Sequence, residues 1–113
     1  MSFGAWQKFS KTFPSGGTTI SGGFDLGRAY QKVYALIPAN LDNTLYQQVA
    51  PDGSTFYRVT REASTHTASP TDYAIASNTT SRIVPLLGGH RHLNLEAATA
   101  VSGDFTVQLL CGD

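Results

Sequence analysis

The chain has 113 residues, a length that fits one domain with one hydrophobic core. Eight Lys and Arg residues balance eight Asp and Glu residues, and charged residues make up only 14% of the chain. Because a protein that binds a polyanion needs an excess of basic residues, this balance excludes nucleic acid and an anionic membrane as expected partners. A sparsely charged, neutral surface instead favours association with other proteins.

The amino-terminal segment, residues 1–14, is predicted to be an aromatic arm or an edge strand that precedes a β-sandwich domain of residues 15–113. It carries four aromatic side chains, Phe3, Trp6, Phe9 and Phe13. These rings either cover the core of their own domain or insert into a neighbouring protein. The segment lacks the basic start and long apolar run of a signal peptide, so we expect synthesis and retention in a cytoplasm.

Alternation of apolar and polar residues with a period of two recurs along the chain, whereas no stretch sustains a period of 3.6. Residues 31–37 alternate between two apolar faces, which predicts a central strand or a strand whose outer side meets a partner. Residues 91–97 and 104–111 each have one apolar face. Their predicted core residues are Leu93, Leu95, Phe105, Val107 and Leu109. Together these patterns predict an all-β, single-domain fold, an antiparallel β-sandwich or jelly roll.

The middle of the chain contains a strong turn signal and a long polar stretch. Asp52-Gly53 separates two β-rich runs, residues 45–49 and 55–59, and therefore predicts a hairpin. Residues 64–81 are rich in Ser, Thr, Ala and Asn, which is typical of a long loop. A weak edge strand around residues 73–76 is the alternative interpretation.

No combination of residues in the sequence identifies a catalytic centre. Most carboxylates fall at predicted turns, where they bond nearby backbone amides, and no pair has the spacing of an acid/base couple. His90 and His92 could share one side of a strand, but no third metal ligand is near them in sequence. Cys111 is interpreted as a small buried hydrophobe on the last strand. We therefore expect no enzymatic activity, no catalytic residues, no cofactor and no metal.

Four segments, taken together, resemble discoidin-like jelly-roll domains. Phe24-Asp25-Leu26-Gly27 is similar to the entry into a central strand of that family. Residues 49–59 resemble its hairpin, residues 84–95 one of its strands, and residues 105–112 its closing strand. The order agrees from residue 20 to residue 112, although the chain is shorter than typical members and lacks their terminal cysteine pair. The resemblance implies a sandwich that binds glycans, lipids or proteins through loops at one end, and because those loops differ here no binding residue is carried over.

The compact chain, with its Ser/Thr-rich loop and aromatic arm, also resembles small virion proteins of tailed bacteriophages. That resemblance implies a structural protein located in the virion, acting as a capsid decoration or as part of the neck, tail or fibre. Its expected partners are other virion proteins and further copies of itself. The residues expected at the interface are Phe3, Trp6, Phe9, Thr65, His66, Thr67 and Tyr73.

A carbohydrate-binding or adhesion module of the discoidin-like type is the alternative function. In that case exposed aromatic rings would form the platforms on which sugar rings stack. The candidates are Trp6, Tyr30, Tyr34, Tyr46 and Tyr57. The two functions overlap, since a virion protein can also bind a glycan.

Overall fold

The computed structural model describes residues 6–61, 71–72 and 74–113. These residues form eleven β-strands and no helix, as the period-two patterns predict. The strands are β1 (Gln7–Phe13), β2 (Phe24–Asp25), β3 (Lys32–Ile37), β4 (Leu45–Val49), β5 (Tyr57–Arg58), β6 (Thr60–Arg61), β7 (Thr71–Asp72), β8 (Ala74–Ile75), β9 (Arg82–Leu86), β10 (His92–Ala97) and β11 (Phe105–Gly112). Within this part of the chain no helix is long and apolar enough to cross a membrane.

Two antiparallel sheets contain nine of the described strands. One sheet has the order β1-β11-β3-β9, and the other has the order β2-β10-β4-β5, with β8 also pairing with β4. The chain alternates between these sheets from β1 to β4 and again from β9 to β11, which is the winding of a jelly roll. Strands β6 and β7 form a separate two-stranded ribbon. The predicted β-sandwich is confirmed.

The core lies between the inner faces of the two sheets. Leu93 and Leu95 are buried on β10, and Val107 and Leu109 are buried on β11. Phe105 is partly buried and packs against the same cluster. Cys111 is also buried on this side of β11, and burial raises the pKa of its thiol. The predicted core residues and the predicted role of Cys111 as a small hydrophobe therefore agree with the structure.

Three buried amide side chains each bind the backbone of a single distant residue. Gln47 accepts from Leu87 N at 2.7 Å and donates to Leu87 O at 2.9 Å. Asn94 forms the same pair of bonds with Ile20, at 3.2 and 2.9 Å. Asn43 forms it with Thr99, at 3.3 and 2.9 Å. Each amide thus pairs with the N–H and the C=O of one residue, as a neighbouring strand would. Without the amide these two backbone groups would lack hydrogen bonds.

Asn94 is buried, although the sequence pattern predicts that it is exposed. The alternation of residues 91–97 assigns it to the wet face of its strand, together with His92 and Glu96. Asn94 does point away from the core, but the segment around Ile20 covers it and leaves it buried. A period-two pattern identifies the two faces of a strand but cannot show that a distant loop covers one of them.

Several local predictions can be compared with the described strands. The Asp52-Gly53 hairpin joins β4 to β5, and Gly53 has a φ of 82°, in the left-handed region that tight turns require. Strand β1 pairs with β11 at one edge of its sheet, and β8 pairs with β4 within the region of the predicted weak edge strand. Pro85 lies inside β9, which an edge strand permits because one side of the strand needs no hydrogen bonds.

Candidate protein-binding face

The solvent side of the four-stranded sheet is here named the outer face. Val33, Ala35 and Ile37 point into the core, so alternate residues of β3 and their register partners point to solvent. The outer face consists of Trp6, Lys8, Ser10, Thr12, Lys32, Tyr34, Leu36, Ile83, Pro85, Thr106, Gln108 and Leu110.

The centre of the outer face is apolar. Leu110, Tyr34 and Pro85 are register partners across three strands, and Leu36 pairs with Ile83 in the next row. Ile83 is 59% exposed, whereas Tyr34, Leu36 and Leu110 are partly exposed. Exposed apolar surface that continues across neighbouring strands is typical of sites that contact another molecule, so the outer face is the candidate functional surface. In the sequence, the second apolar face of residues 31–37 indicated this surface. The contribution of Ile83 was missed because the sequence does not show that β9 pairs with β3.

Trp6 lies at one end of the outer face. Its ring centroid is 6.0 Å from that of Tyr34, and the residue is 47% exposed. The ring rests on Gly112, where an added Cβ would lie only 2.7–3.0 Å from three ring carbons. Because Gly112, at the end of β11, has no side chain, the indole can occupy this position.

Phe9 lies on the opposite side of β1. It is partly buried against the core, and its ring centroid is 6.2 Å from that of Tyr30. The two predicted interface residues that the structure describes, Trp6 and Phe9, thus lie on opposite sides of the four-stranded sheet. The other five lie outside the described residues: Phe3, Thr65, His66, Thr67 and Tyr73.

A groove of about 410 Å³ opens at the other end of the outer face. Leu36, Pro38 and Ile83 supply apolar walls, and Thr106 and Gln108 supply polar groups. Arg82 also borders the groove. Its Nη1 donates to Asn78 O at 3.0 Å, whereas its Nε and Nη2 are buried and have no hydrogen-bond partner among residues 6–61, 71–72 and 74–113.

The charged groups of the outer face have no ion-pair partners within the described ranges. Lys8 and Lys32 are exposed, and neither forms a salt bridge there. The ion pairs of the described residues lie elsewhere: Arg28–Asp113, Arg58–Glu96 and Arg91–Asp25. The outer face therefore combines an uncharged, apolar centre with two exposed lysines, Lys8 and Lys32, towards the end that holds Trp6.

The outer side of the five-stranded sheet has a different character. Arg58 donates to Glu96 and stacks over the ring of Tyr46, with its guanidinium carbon 4.2 Å from the ring centroid. Arg91 binds Asp25 at 2.7 Å, and this hydrogen bond holds the pKa of the Asp25 carboxyl far below its usual range. This side is covered by paired polar groups and suits contact with water.

The described residues contain no group of three or more His, Cys, Asp and Glu side chains that could hold a metal ion. His92 packs instead against the hairpin, where a Cβ on Gly53 would lie 3.2 Å from its Nε2. The arrangement of the outer face is suited to surface contact.

No family model matches the sequence, and no curated protein matches it. Among solved structures, the fold is similar to the crystal structure of the SPBc2 prophage-derived protein YomS, with a TM-score of 0.55 and 17% identity, over 98% of this chain and 97% of that chain. The Yersinia pseudotuberculosis-derived mitogen gives a TM-score of 0.40 and 13% identity, over 97% of this chain and 87% of that chain. The likeness to YomS shows a shared fold along nearly the whole length of both chains.

Proposed function

We propose that this protein is a structural component of a bacteriophage particle and acts through protein–protein contacts made by its outer face. The observation that carries the proposal is the exposed apolar centre around Tyr34, Leu36 and Ile83. The likeness in fold to a prophage-derived protein supports the phage context. The fold alone does not decide the function, since jelly rolls serve both capsid and lectin domains.

The contrast between the two sheets supports the choice of surface. Both sheets bury one side in the same core and expose the other side to solvent. Solubility alone would therefore favour polar residues equally on both exposed sides. The five-stranded sheet presents ion pairs such as Arg58–Glu96, whereas the four-stranded sheet presents Ile83 and Leu110. Depletion of charge with enrichment of aromatic residues is typical of the centre of a protein interface.

Capsid decoration, neck, tail and fibre positions all place a small protein against neighbours, and copies of this chain are among the proposed neighbours. The zero net charge and the 14% content of charged residues favour such packing over life as a free monomer. The experiment uses particles purified from the cells that encode the protein. Quantitative mass spectrometry should find the chain in those particles at a constant number of copies.

A pair of matched variants tests the surface itself. Ile83→Asp places a carboxylate in the apolar centre and should prevent incorporation into particles while leaving the β-type circular dichroism spectrum intact. Gln48→Asp adds the same charge to the solvent side of the five-stranded sheet and should be incorporated normally. Absence of the wild-type chain from particles, or equal incorporation of both variants, would contradict the proposal.

Glycan binding by a discoidin-like module is a second candidate, favoured by one specific observation. The indole of Trp6 is half exposed and is held beside Tyr34, which leaves an aromatic surface on which a sugar ring could stack. A glycan array probed with the wild type and with Trp6→Ala tests this function. Binding that disappears in Trp6→Ala would support it, and a silent array would remove it.

A further inference from the structure

The two sheets differ in the sign of their charge. The strands of the four-stranded sheet contain Lys8, Lys11, Lys32 and Arg82, and they contain no Asp or Glu. The strands of the other sheet contain Asp25 and Glu96 against Arg58. Of these four cations, Lys8 and Lys32 point to the outer face, and no residue of the outer face is Asp or Glu.

Arg82 borders the groove, but it pairs with the buried Ile37, so its side chain leaves β9 on the side opposite Ile83. Carbonyl oxygens of Asn78 and Thr80 accept from its Nη1, and no carboxylate pairs with it among the described residues. Its Nε and Nη2 are buried, and no described residue accepts a hydrogen bond from them. The exposed positive charge of the outer face is therefore that of Lys8 and Lys32.

We propose, resting on the function proposed above, that the partner on the outer face is an acidic protein segment with an apolar anchor residue. The apolar anchor enters the groove beside Leu36 and Ile83, and carboxylates of the segment meet Lys8 and Lys32. Lys32 and Leu36 are four residues apart on β3, a separation of about 13 Å along the strand. An extended partner segment would therefore carry its acidic residues about four positions from its anchor.

Charge distinguishes this partner from two others. A second copy that presented its own outer face would bring Lys8 and Lys32 of both copies into one interface, where like charges repel. An anionic membrane is typically recognised by clusters of about four to eight basic residues, whereas the outer face exposes Lys8 and Lys32. Complementary charge therefore favours an acidic protein.

The test selects ligands from random sequences, so it does not require an identified partner. A phage-displayed library of random dodecapeptides is panned on the immobilised full chain, and the enriched peptides are synthesised for fluorescence-polarisation titrations. We expect peptides with net negative charge and at least one Leu, Ile or Phe. The double variant Lys8→Glu/Lys32→Glu should weaken their binding by about tenfold or more, and added NaCl should weaken it in the wild type.

Lys11→Glu is the matched control because it makes the same change on the same strand. Its side chain is also exposed but points to the other side of β1, opposite Val107, and its affinity for the peptides should match that of the wild type. All three lysines are exposed, so the variants should retain the wild-type circular dichroism spectrum.

Several results would overturn the proposal. These are enrichment of neutral or basic peptides, no enrichment at all, or equal affinities of the double variant and Lys11→Glu. Self-association of the wild type that Ile83→Asp abolishes would assign the outer face to a second copy. Co-sedimentation with vesicles of equal parts phosphatidylcholine and phosphatidylserine would assign it to a membrane.

Particle incorporation separates this proposal from the function on which it rests. If the double variant enters particles as well as the wild type, the acidic partner is wrong and the structural role stands. If the wild type is absent from particles but selects acidic peptides, the structural role is wrong and the chemistry of the outer face stands.

Discussion

Gln47 connects the two sheets through a single side chain. It lies on β4 in the five-stranded sheet and is only 1% exposed, and it binds both backbone groups of Leu87, just after β9 in the other sheet. Gln47→Leu keeps a similar volume but leaves the N–H and C=O of Leu87 unpaired. We expect the free energy of unfolding, measured by urea denaturation, to fall by about 1–3 kcal/mol or more. Gln48→Leu, on the solvent side of β4, should change it little, and equal effects would show that Gln47 does not hold the sheets together.

Asp52 makes the stability of the hairpin depend on pH. Its Oδ1 accepts from the backbone N–H groups of Thr55 and Ser54, at 2.8 and 3.0 Å, and these bonds lower the pKa of the carboxyl from 3.8. Because the pKa is lower in the folded protein, the carboxylate stabilises the fold above pH 3.8, and this stabilisation is lost as the pH falls through the folded value. Wild type should exceed Asp52→Asn in stability at neutral pH, and the difference should shrink below pH 3.8. A difference that stays constant over this range in urea titrations would contradict the interpretation.

At the scale of the strand, the pairing of β1 with β11 determines where Trp6 lies. Gly112→Ala would place a methyl group 2.7–3.0 Å from carbons of the indole, so the ring must move away from its position beside Tyr34. Trp6 is the single tryptophan of the chain, so its fluorescence reports this displacement directly, as emission at longer wavelength from a more exposed ring. Gly103→Ala is the control, because its nearest contacts would lie at 3.8–3.9 Å. An unchanged emission spectrum in Gly112→Ala would show that the indole does not pack against Gly112.

The two sides of β11 should differ sharply in their tolerance to substitution. Leu109 is 1% exposed in the core, whereas Gln108 points to the outer face. Leu109→Ala should lower the free energy of unfolding by about 2–5 kcal/mol, through lost burial and the cavity left behind. Gln108→Ala on the same strand should have little effect in the same urea denaturation experiment. Similar losses from both variants would mean that the faces are assigned wrongly.

The two faces of a single strand could be predicted from the sequence. The segments that cover those faces, and the strands beside them, could not. The alternation in β10 and β11 gave the core leucines correctly because burial of one side imposes a period of two. The burial of Asn94 depends on Ile20, which is 74 residues away along the chain, and no local pattern records that contact. The outer face was similarly visible in part, since Tyr34 and Leu36 lie within one strand. Its continuation to Ile83 depends on the register between β3 and β9, which the sequence alone does not provide.

At the scale of the whole molecule, the two sheets should dominate every spectroscopic signal of the backbone. The described residues form strands, turns and loops without a helix. Far-ultraviolet circular dichroism of the full chain should therefore show a β-type spectrum without the double minimum of helices. A strong helical signal would be incompatible with the jelly roll.

Strand β11 sits between β1 and β3, although it is the last of the described strands to be synthesised. Until it leaves the ribosome, β1 has no neighbour in its sheet, and β3 has only β9. Pairing Gln7 with Cys111 then closes a loop of about a hundred residues, a step that chain entropy makes slow. In the nascent chain, one edge of β3 and the edge of β1 that pairs with β11 consequently lack their partner, so the sheet that presents the outer face can be completed only once β11 has been made.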